Sequence, residues 1–214
     1  MHFSLQRRPC AQSLARNAFL FVGSAVLFAV AACAQASGPF PDMLSTADRD
    51  RLSRYEPIRR ATLEFVWQHA APRDLAALQS VLNGSASDLR PAEMAGEWLC
   101  RTIKLSRKRD LPLVIYPDFR CVITDDPAGL RLKRLTGSQR TAGTFYDIGE
   151  TRLGYVGALA LGDEKRTPAY GENPERNHVG YLIAVSPERM RLEFPSPVFE
   201  SDFDILELHR PSPR

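Results

Sequence analysis

The chain has 214 residues and a formal net charge of +3, from 28 basic and 25 acidic side chains. The three excess positive charges are Arg7, Arg8 and Arg16, which lie in an N-terminal segment without any acidic residue. Without that segment, 25 basic residues balance 25 acidic ones, so the remaining domain lacks the basic surface that nucleic-acid binding requires. We therefore expect no nucleic-acid partner.

The first 36 residues have the pattern of an export signal, in which a basic segment precedes an apolar run. The apolar run covers 18–32 and is 15 residues long, shorter than the roughly 20 residues that a membrane-spanning helix needs. Two processing sites stay open: the small residues at 34–36 fit simple cleavage, and "VAAC" at 30–33 fits lipidation of Cys33. We expect a periplasmic protein, attached to the outer membrane only if Cys33 carries a lipid.

The residues after the signal are enough for one globular unit, with a helical segment at 37–95 and a β-rich segment at 96–214. The first helix starts at Ser45, which is followed three residues later by an acidic side chain, as in a capping box. Pro57 is expected to kink or split this helix, because proline removes a backbone donor. A further helix begins near Pro72, and "SASDLRPAEMA" reads as a polar connector.

From Gly96 onward the hydrophobic period changes from that of a helix to that of a strand. Turn residues separate eight strand-like runs: "GEWLCRTIKL", "LPLVIYPDFRCVITD", "GLRLKRL", "RTAGTFYDI", "RLGYVGALAL", "HVGYLIAVS", "RMRLEFP" and "FDILELH". Short strands without intervening helices favour an antiparallel sheet, and eight of them can close a small barrel. The predicted fold class is α+β, mainly β, with N-terminal helices followed by an eight-stranded antiparallel barrel-like sheet.

Cys100 and Cys121 are the two cysteines of the predicted domain. An even pair in an exported protein indicates one disulfide, which we expect between the first two strands. By alternation, Cys121 should share the inner face of its strand with Leu113 and Ile115.

The stretch "TGSQRTAG" at 136–143 forms a predicted hairpin with Gly137 and Ser138 in the turn. Its register pairs Leu132 with Gly143, and it turns a row of polar side chains inward near one barrel end. A buried, unpaired guanidinium there must find water, a carboxylate or a bound anion. A shift of one residue would replace Arg134 by Arg140 on the inner face. The candidate ligand-binding residues are Arg134, Thr136, Gln139, Arg140 and Thr141; the alternative is a polar cluster satisfied within the protein.

No catalytic, metal-binding or cofactor-binding residue is indicated. Ser138 lacks the sequence of a nucleophile elbow, and a hydrolase using Ser138 stays open only if a distant histidine reaches it. The histidines His69, His178 and His209 are scattered and form no metal-binding motif.

The segments "GEWLCRTIKL", "FRCVI", "KRLTGSQRTAG", "YVGALALG" and "FES…DILEL" closely resemble a family of exported bacterial proteins, the domain of unknown function 4893. The resemblance implies a periplasmic-type protein and carries over no activity. Gly96-Glu97-Trp98 also resembles the G-x-W of lipocalin-like barrels and of small bacterial barrels that inhibit secreted metalloproteases. We expect a non-catalytic module that binds a small molecule or an envelope protein, with a protease-inhibitor-like barrel as the alternative.

Overall fold

The computed structural model describes residues 40, 42–88, 91–149 and 151–211; the predicted signal and Cys33 lie outside them. Within these residues, four helices come before the sheet: α1 (Thr46–Ser53), α2 (Tyr55–His69), α3 (Pro72–Leu82) and α4 (Pro91–Met94). The strands are β1 (Gly96–Leu105), β2 (Leu113–Ile115), β3 (Phe119–Asp126), β4 (Gly129–Arg134), β5 (Gln139–Asp147), β6 (Arg152–Leu161), β7 (Asn177–Ser186), β8 (Arg189–Pro195) and β9 (Phe203–His209). A short 3₁₀ helix, Pro174–Arg176, precedes β7.

The strands form one antiparallel sheet that closes on itself. The strand order is β2-β1-β3-β4-β5-β6-β7-β8-β9, and β1 also pairs with β9 along Leu99–Leu105. The barrel therefore consists of β1 and β3 to β9, with β2 as an extra strand on the second half of β1. Closure satisfies the strand edges that an open sheet must protect. The predicted α+β fold with an eight-stranded antiparallel barrel is confirmed.

The strand predicted over 111–125 is broken in two. Pro117 lies in the break between β2 and β3, where its missing N–H costs no ladder hydrogen bond. The break changes which face each half presents: Leu113 and Ile115 pack outside the barrel against the helices, whereas Cys121 packs inside. The prediction that all three share the inner face was wrong, because alternation holds only along an unbroken strand.

The helices follow the sequence signals closely. The Asp48 N–H donates to the Ser45 side chain at 3.1 Å, so Ser45 caps α1 as predicted. The helix splits at Arg54, which places Pro57 in the first turn of α2, where a missing N–H is tolerated. The predicted polar connector contains the one-turn helix α4. No helix among the described residues is both long and apolar enough to cross a membrane.

Three apolar clusters of the described residues stabilise the domain. The first fills the barrel, and includes Trp98, Ile123, Phe145, Tyr155 and Leu192. The second joins α2 and α3 to the outer face of β1 and β9, and includes Val66, Leu78, Ile103, Phe203 and Ile205. The third joins α1 to β5, β6 and β7, and includes Phe40, Leu44, Leu52, Tyr146, Val156 and Val179. Burial of these side chains is the main stabilising contribution, at about 25 cal/mol per Å² of apolar surface.

A disulfide joins Cys100 of β1 to Cys121 of β3, with a Cα–Cα distance of 5.9 Å. Both cysteines are fully buried inside the barrel. The predicted pairing is therefore present in the structure.

One end of the barrel is closed by Trp98 and Arg210. The Trp98 Nε1–H donates to the Met94 carbonyl at 2.8 Å, and the Arg210 guanidinium lies 3.8 Å from the centre of the Trp98 ring. Arg210 donates to three backbone carbonyls, those of Glu93, Ala95 and Glu97. Gly96 has a φ of +118°, and a Cβ there would lie 2.9 Å from Arg210. The glycine before Trp98 is thus required both by backbone conformation and by the close approach of Arg210.

Candidate functional site

The opposite end of the barrel contains a small pocket. Its cavity volume is about 30 Å³. Inward-facing side chains of seven strands and two residues of the β8–β9 loop line it: Thr102, Lys104, Arg134, Gln139, Thr141, Leu159, His178, Phe194, Pro197, Phe199, Asp204 and Leu206. We call this pocket the barrel mouth.

The apolar part of the lining comes from two strands and from the β8–β9 loop. β6 contributes Leu159, and β8 contributes Phe194. The β8–β9 loop contributes Pro197 and Phe199. The polar groups of the lining decide what the mouth can bind.

The hairpin between β4 and β5 has the predicted register. Leu132 pairs with Gly143 and Lys133 pairs with Ala142. In this register Arg134 and Thr141 are inward-facing and buried. The space above Gly143 is filled by the Tyr155 ring, since a Cβ at that position would lie 2.7 Å from it.

Three of the five predicted ligand-binding residues line the mouth, namely Arg134, Gln139 and Thr141. Thr136 is exposed, and its hydroxyl accepts a hydrogen bond from the Arg120 N–H. Arg140 does not line the mouth; it donates to the backbone carbonyls of Gly137, Gly162 and Glu164. The structure therefore has Arg134, and not Arg140, on the inner face.

Arg134 is the central cation of the mouth. Only 7% of its surface is exposed, and its guanidinium lies 4.2 Å from the centre of the Phe119 ring. Nε donates to the Thr136 carbonyl at 3.1 Å, and Nη1 donates to the Thr102 hydroxyl at 2.7 Å. Among the described residues, Nη2 has no hydrogen-bond acceptor and the guanidinium has no carboxylate partner. Burial, with a smaller effect of Arg140, lowers the pKa of Arg134 to about 10, so it stays charged at neutral pH.

A second set of charges lies beside Arg134. The Lys104 ammonium contacts the Glu200 carboxylate at 3.1 Å and the Asp204 carboxylate at 3.5 Å. Asp204 also accepts from the Ser201 hydroxyl at 2.5 Å. Burial raises the pKa of Asp204 to about 6, against the opposing effect of Lys104. At pH 7 the mouth therefore holds two cations and two carboxylates.

His178 is a neutral member of the mouth. Its Nδ1 lies 3.0 Å from the Thr141 hydroxyl, which in turn lies 2.8 Å from the Tyr155 hydroxyl. The imidazole stacks on Phe194 with the ring centres 3.6 Å apart. Burial, together with Lys104 and Arg51, lowers the pKa of His178 to about 3. His178 thus serves as a hydrogen-bonding group and not as a cation.

Four polar residues of the mouth were not predicted from the sequence: Thr102, Lys104, His178 and Asp204. Thr102 and Lys104 could have been found, because alternation from the inward-facing Cys100 turns both of them inward. His178 and Asp204 lie on β7 and β9, which do not pair with β4 or β5, so the hairpin pattern gave no signal for them.

Neither His69 nor His209 contacts Ser138. His69 Nδ1 lies 2.8 Å from the Phe65 carbonyl, and His209 lies 3.4 Å from the Asp118 carboxylate. Ser138 is exposed in the β4–β5 turn. Within the described residues, no three His, Cys, Asp or Glu side chains are grouped so that they could hold a metal ion.

The fold and its mouth define a small, closed antiparallel β-barrel with helices on one outer face and a charged pocket at one end. Residues 42–208, which are most of the chain, match the family described as Domain of unknown function (DUF4893). The protein belongs to that family, as the sequence resemblance predicted. No curated protein and no solved structure matches the chain.

Proposed function

We propose that this protein is a non-catalytic binding protein whose barrel mouth holds a small anionic ligand on Arg134. One observation carries the proposal: the guanidinium is buried in the mouth without a carboxylate partner among the described residues. A structural arginine in such a place is normally paired, because an unpaired buried charge is strongly destabilising.

The surroundings of Arg134 suit an anion. The Phe119 ring holds the guanidinium on one side, and the Thr102 hydroxyl fixes its position from another. The charge-assisted hydrogen bonds of a guanidinium to an anion are about twice as strong as neutral ones, and burial strengthens them. The hydroxyl of Thr141 and the amide of Gln139 add polar groups without adding charge.

We further propose that the protein is exported to the periplasm, with Cys33 as its lipid anchor if the second processing site is used. The basic and apolar segments of the first 36 residues support export. The Cys100–Cys121 disulfide supports an oxidising compartment, since such bonds are rare in the reducing cytosol.

Inhibition of a secreted protease is the second candidate function. It is favoured by the filled barrel interior, which leaves only about 30 Å³ at the mouth. In that case the binding surface is the set of loops around the barrel or the N-terminal segment, and a protease titrated with the protein loses activity stoichiometrically.

The test of anion binding uses calorimetric titration of the protein with sodium acetate, sodium butyrate and sodium sulfate. Arg134→Met should abolish the binding of whichever anion the wild-type protein takes. The matched control is Arg131→Met, because Arg131 lies on the same strand but is exposed. Affinity that survives Arg134→Met would overturn the proposed site.

A further inference from the structure

The β8–β9 loop, Ser196–Asp202, lies over the barrel mouth as a lid. Pro197 and Phe199 of this loop line the pocket. A hydrogen bond from the Ser196 N–H to the Asp202 carbonyl, at 3.0 Å, closes the base of the loop. Asp202 is in turn held by the Arg107 N–H at 2.7 Å. The base of the lid is therefore held by hydrogen bonds that do not involve its tip.

The closed lid leaves too little space for an organic ligand. A cavity of about 30 Å³ accommodates about two water molecules, at roughly 15 Å³ of such volume each. The floor of the mouth is formed by strand residues such as Phe194 and Leu206, which belong to the packed barrel core. Room for a ligand must therefore come from the lid.

The lid is held in a strained conformation. Ser196 has a φ of 44° and Glu200 has a φ of 71°, and they are the non-glycine residues with positive φ in the described chain. Such conformations are unfavourable for residues with a Cβ and persist only where contacts enforce them. Glu200 is held by its ion pair with Lys104, at 3.1 Å, and by a hydrogen bond from the Lys108 ammonium to its carbonyl, at 3.4 Å.

The Glu200–Lys104 pair is a contact that a ligand can replace. The Glu200 side chain is 59% exposed, whereas the Lys104 side chain is 8% exposed, so the carboxylate reaches in from the solvent to a buried ammonium. Lys104 keeps Asp204 as a second partner when Glu200 leaves. Lys104 and Thr102 are successive inward positions on β1, and Thr102 is bonded to Arg134.

The charges facing the mouth come from several elements. Lys104 on β1 and Arg134 on β4 are positive, Asp204 on β9 and Glu200 in the lid are negative, and His178 on β7 is neutral. These charges sum to zero with the lid closed and to +1 once Glu200 has withdrawn. A single negative charge on the ligand restores neutrality, whereas a dianion leaves an uncompensated charge in a buried place.

From this geometry we infer that the ligand is a small monoanion with an apolar body, such as a short-chain carboxylate, and that it displaces Glu200 to bind Arg134 and Lys104 together. The inference rests on the proposed function. It adds Lys104 as a second binding residue, a single negative charge on the ligand, and entry of the ligand by displacement of Glu200. Phe199 and Leu159 offer the apolar contacts for the body of the ligand.

The experiment measures butyrate and sulfate affinity by calorimetry at pH 7.5 in five single variants and one double variant. Glu200→Gln removes the competing carboxylate and should tighten butyrate binding about fivefold to tenfold. Glu172→Gln is the matched control, because Glu172 forms an exposed ion pair with Arg166 in the β6–β7 loop; it should leave the affinity within about twofold. Lys104→Met should weaken binding about tenfold or more, and adding Glu200→Gln to it should then bring no gain.

The outcomes separate the two proposals. If Arg134→Met leaves binding intact, the proposed function fails, and the inference fails with it. If Arg134→Met abolishes binding while Glu200→Gln equals the wild type, the mouth is a binding site but the displacement of Glu200 is wrong. Tighter binding of sulfate than of butyrate would contradict the inference that the ligand is a monoanion. Glu200→Gly gives a second test that does not depend on the folding of the Lys104 variant, because glycine removes both the carboxylate and the strain at a φ of 71°.

Discussion

The two ends of the barrel each hold an arginine stacked on an aromatic ring, and the two arginines differ in how their donors are used. At the closed end, Arg210 lies 3.8 Å from the centre of the Trp98 ring and donates to three backbone carbonyls. At the mouth, Arg134 lies 4.2 Å from the centre of the Phe119 ring and donates to one carbonyl and one hydroxyl.

Stacking on an aromatic ring therefore does not by itself distinguish a structural arginine from a binding arginine. The carbonyls around Arg210 would lose their donors if it were replaced, so the closed end depends on it. Arg134 is more deeply buried and has a donor nitrogen without an acceptor among the described residues. Its burial without a partner lowers the stability of the folded protein, and a bound anion would offset that loss.

At neutral pH, removal of the disulfide should change the free energy of unfolding most, because this bond joins two strands that both ends of the barrel share. Cys121 pairs across the sheet with Trp98 on one side and with Arg134 on the other. Replacing both cysteines by alanine should lower the free energy of unfolding by about 3 kcal/mol, for a sequence separation of 21. Urea denaturation of the oxidised protein and of the double variant measures this difference. An unchanged midpoint would mean that the strand pairing alone holds β1 to β3.

Replacing each of the two arginines in turn tests the comparison directly. Arg210→Met should lower the free energy of unfolding by about 2 kcal/mol, because three backbone carbonyls lose a charged donor. Arg134→Met should raise it by about 1 kcal/mol, because an unpaired buried charge is removed while the contact with Phe119 is kept. Thermal melts of both variants without added anions give the signs. Two effects of the same sign would contradict the distinction between the ends.

A pH dependence of stability belongs to the mouth. The pKa of His178 is lowered in the folded protein from 6.5 to about 3, so the unfolded chain binds the proton first as the pH falls. The contribution of His178 to the free energy of unfolding should therefore decrease between pH 6.5 and pH 3, with a slope of about 1.4 kcal/mol per pH unit, whereas Asp204, whose pKa is raised to about 6, acts in the opposite direction. His178→Gln should remove that slope in denaturant titrations, and His69→Gln on α2 is the control. An equal slope in the two variants would place the titration elsewhere.

Much of the fold follows from local patterns that the sequence displays. The cap at Ser45, the split near Pro57 and the register of the β4–β5 hairpin each depend on residues within a few positions of one another. The same is true of the eight barrel strands, since alternation and turn residues mark each of them separately, although the second predicted run also contains β2. Closure into a barrel was predicted from that count, and the β1–β9 pairing confirms it.

The candidate site could be predicted only where it belongs to the hairpin. Arg134 and Thr141 face inward because their register is local, whereas Lys104, His178 and Asp204 meet them only after the sheet has closed. The lid could not be predicted either, because its position depends on the ion pair of Glu200 with Lys104. The break at Pro117 was missed because the flanking residues continue the strand pattern on both sides of it.

The pairing of β1 with β9 also determines when this protein can fold. It joins Leu99–Leu105 to Phe203–His209, segments roughly a hundred residues apart, so its contacts are among the most distant in the sequence. Pairings of this kind form slowly, because the entropy of closing a long loop is lost before any contact is gained. Until β9 is available, the edges of β1 and β8 lack partners, and both are open to pairing with other chains. The last few residues of the domain therefore control its protection against aggregation.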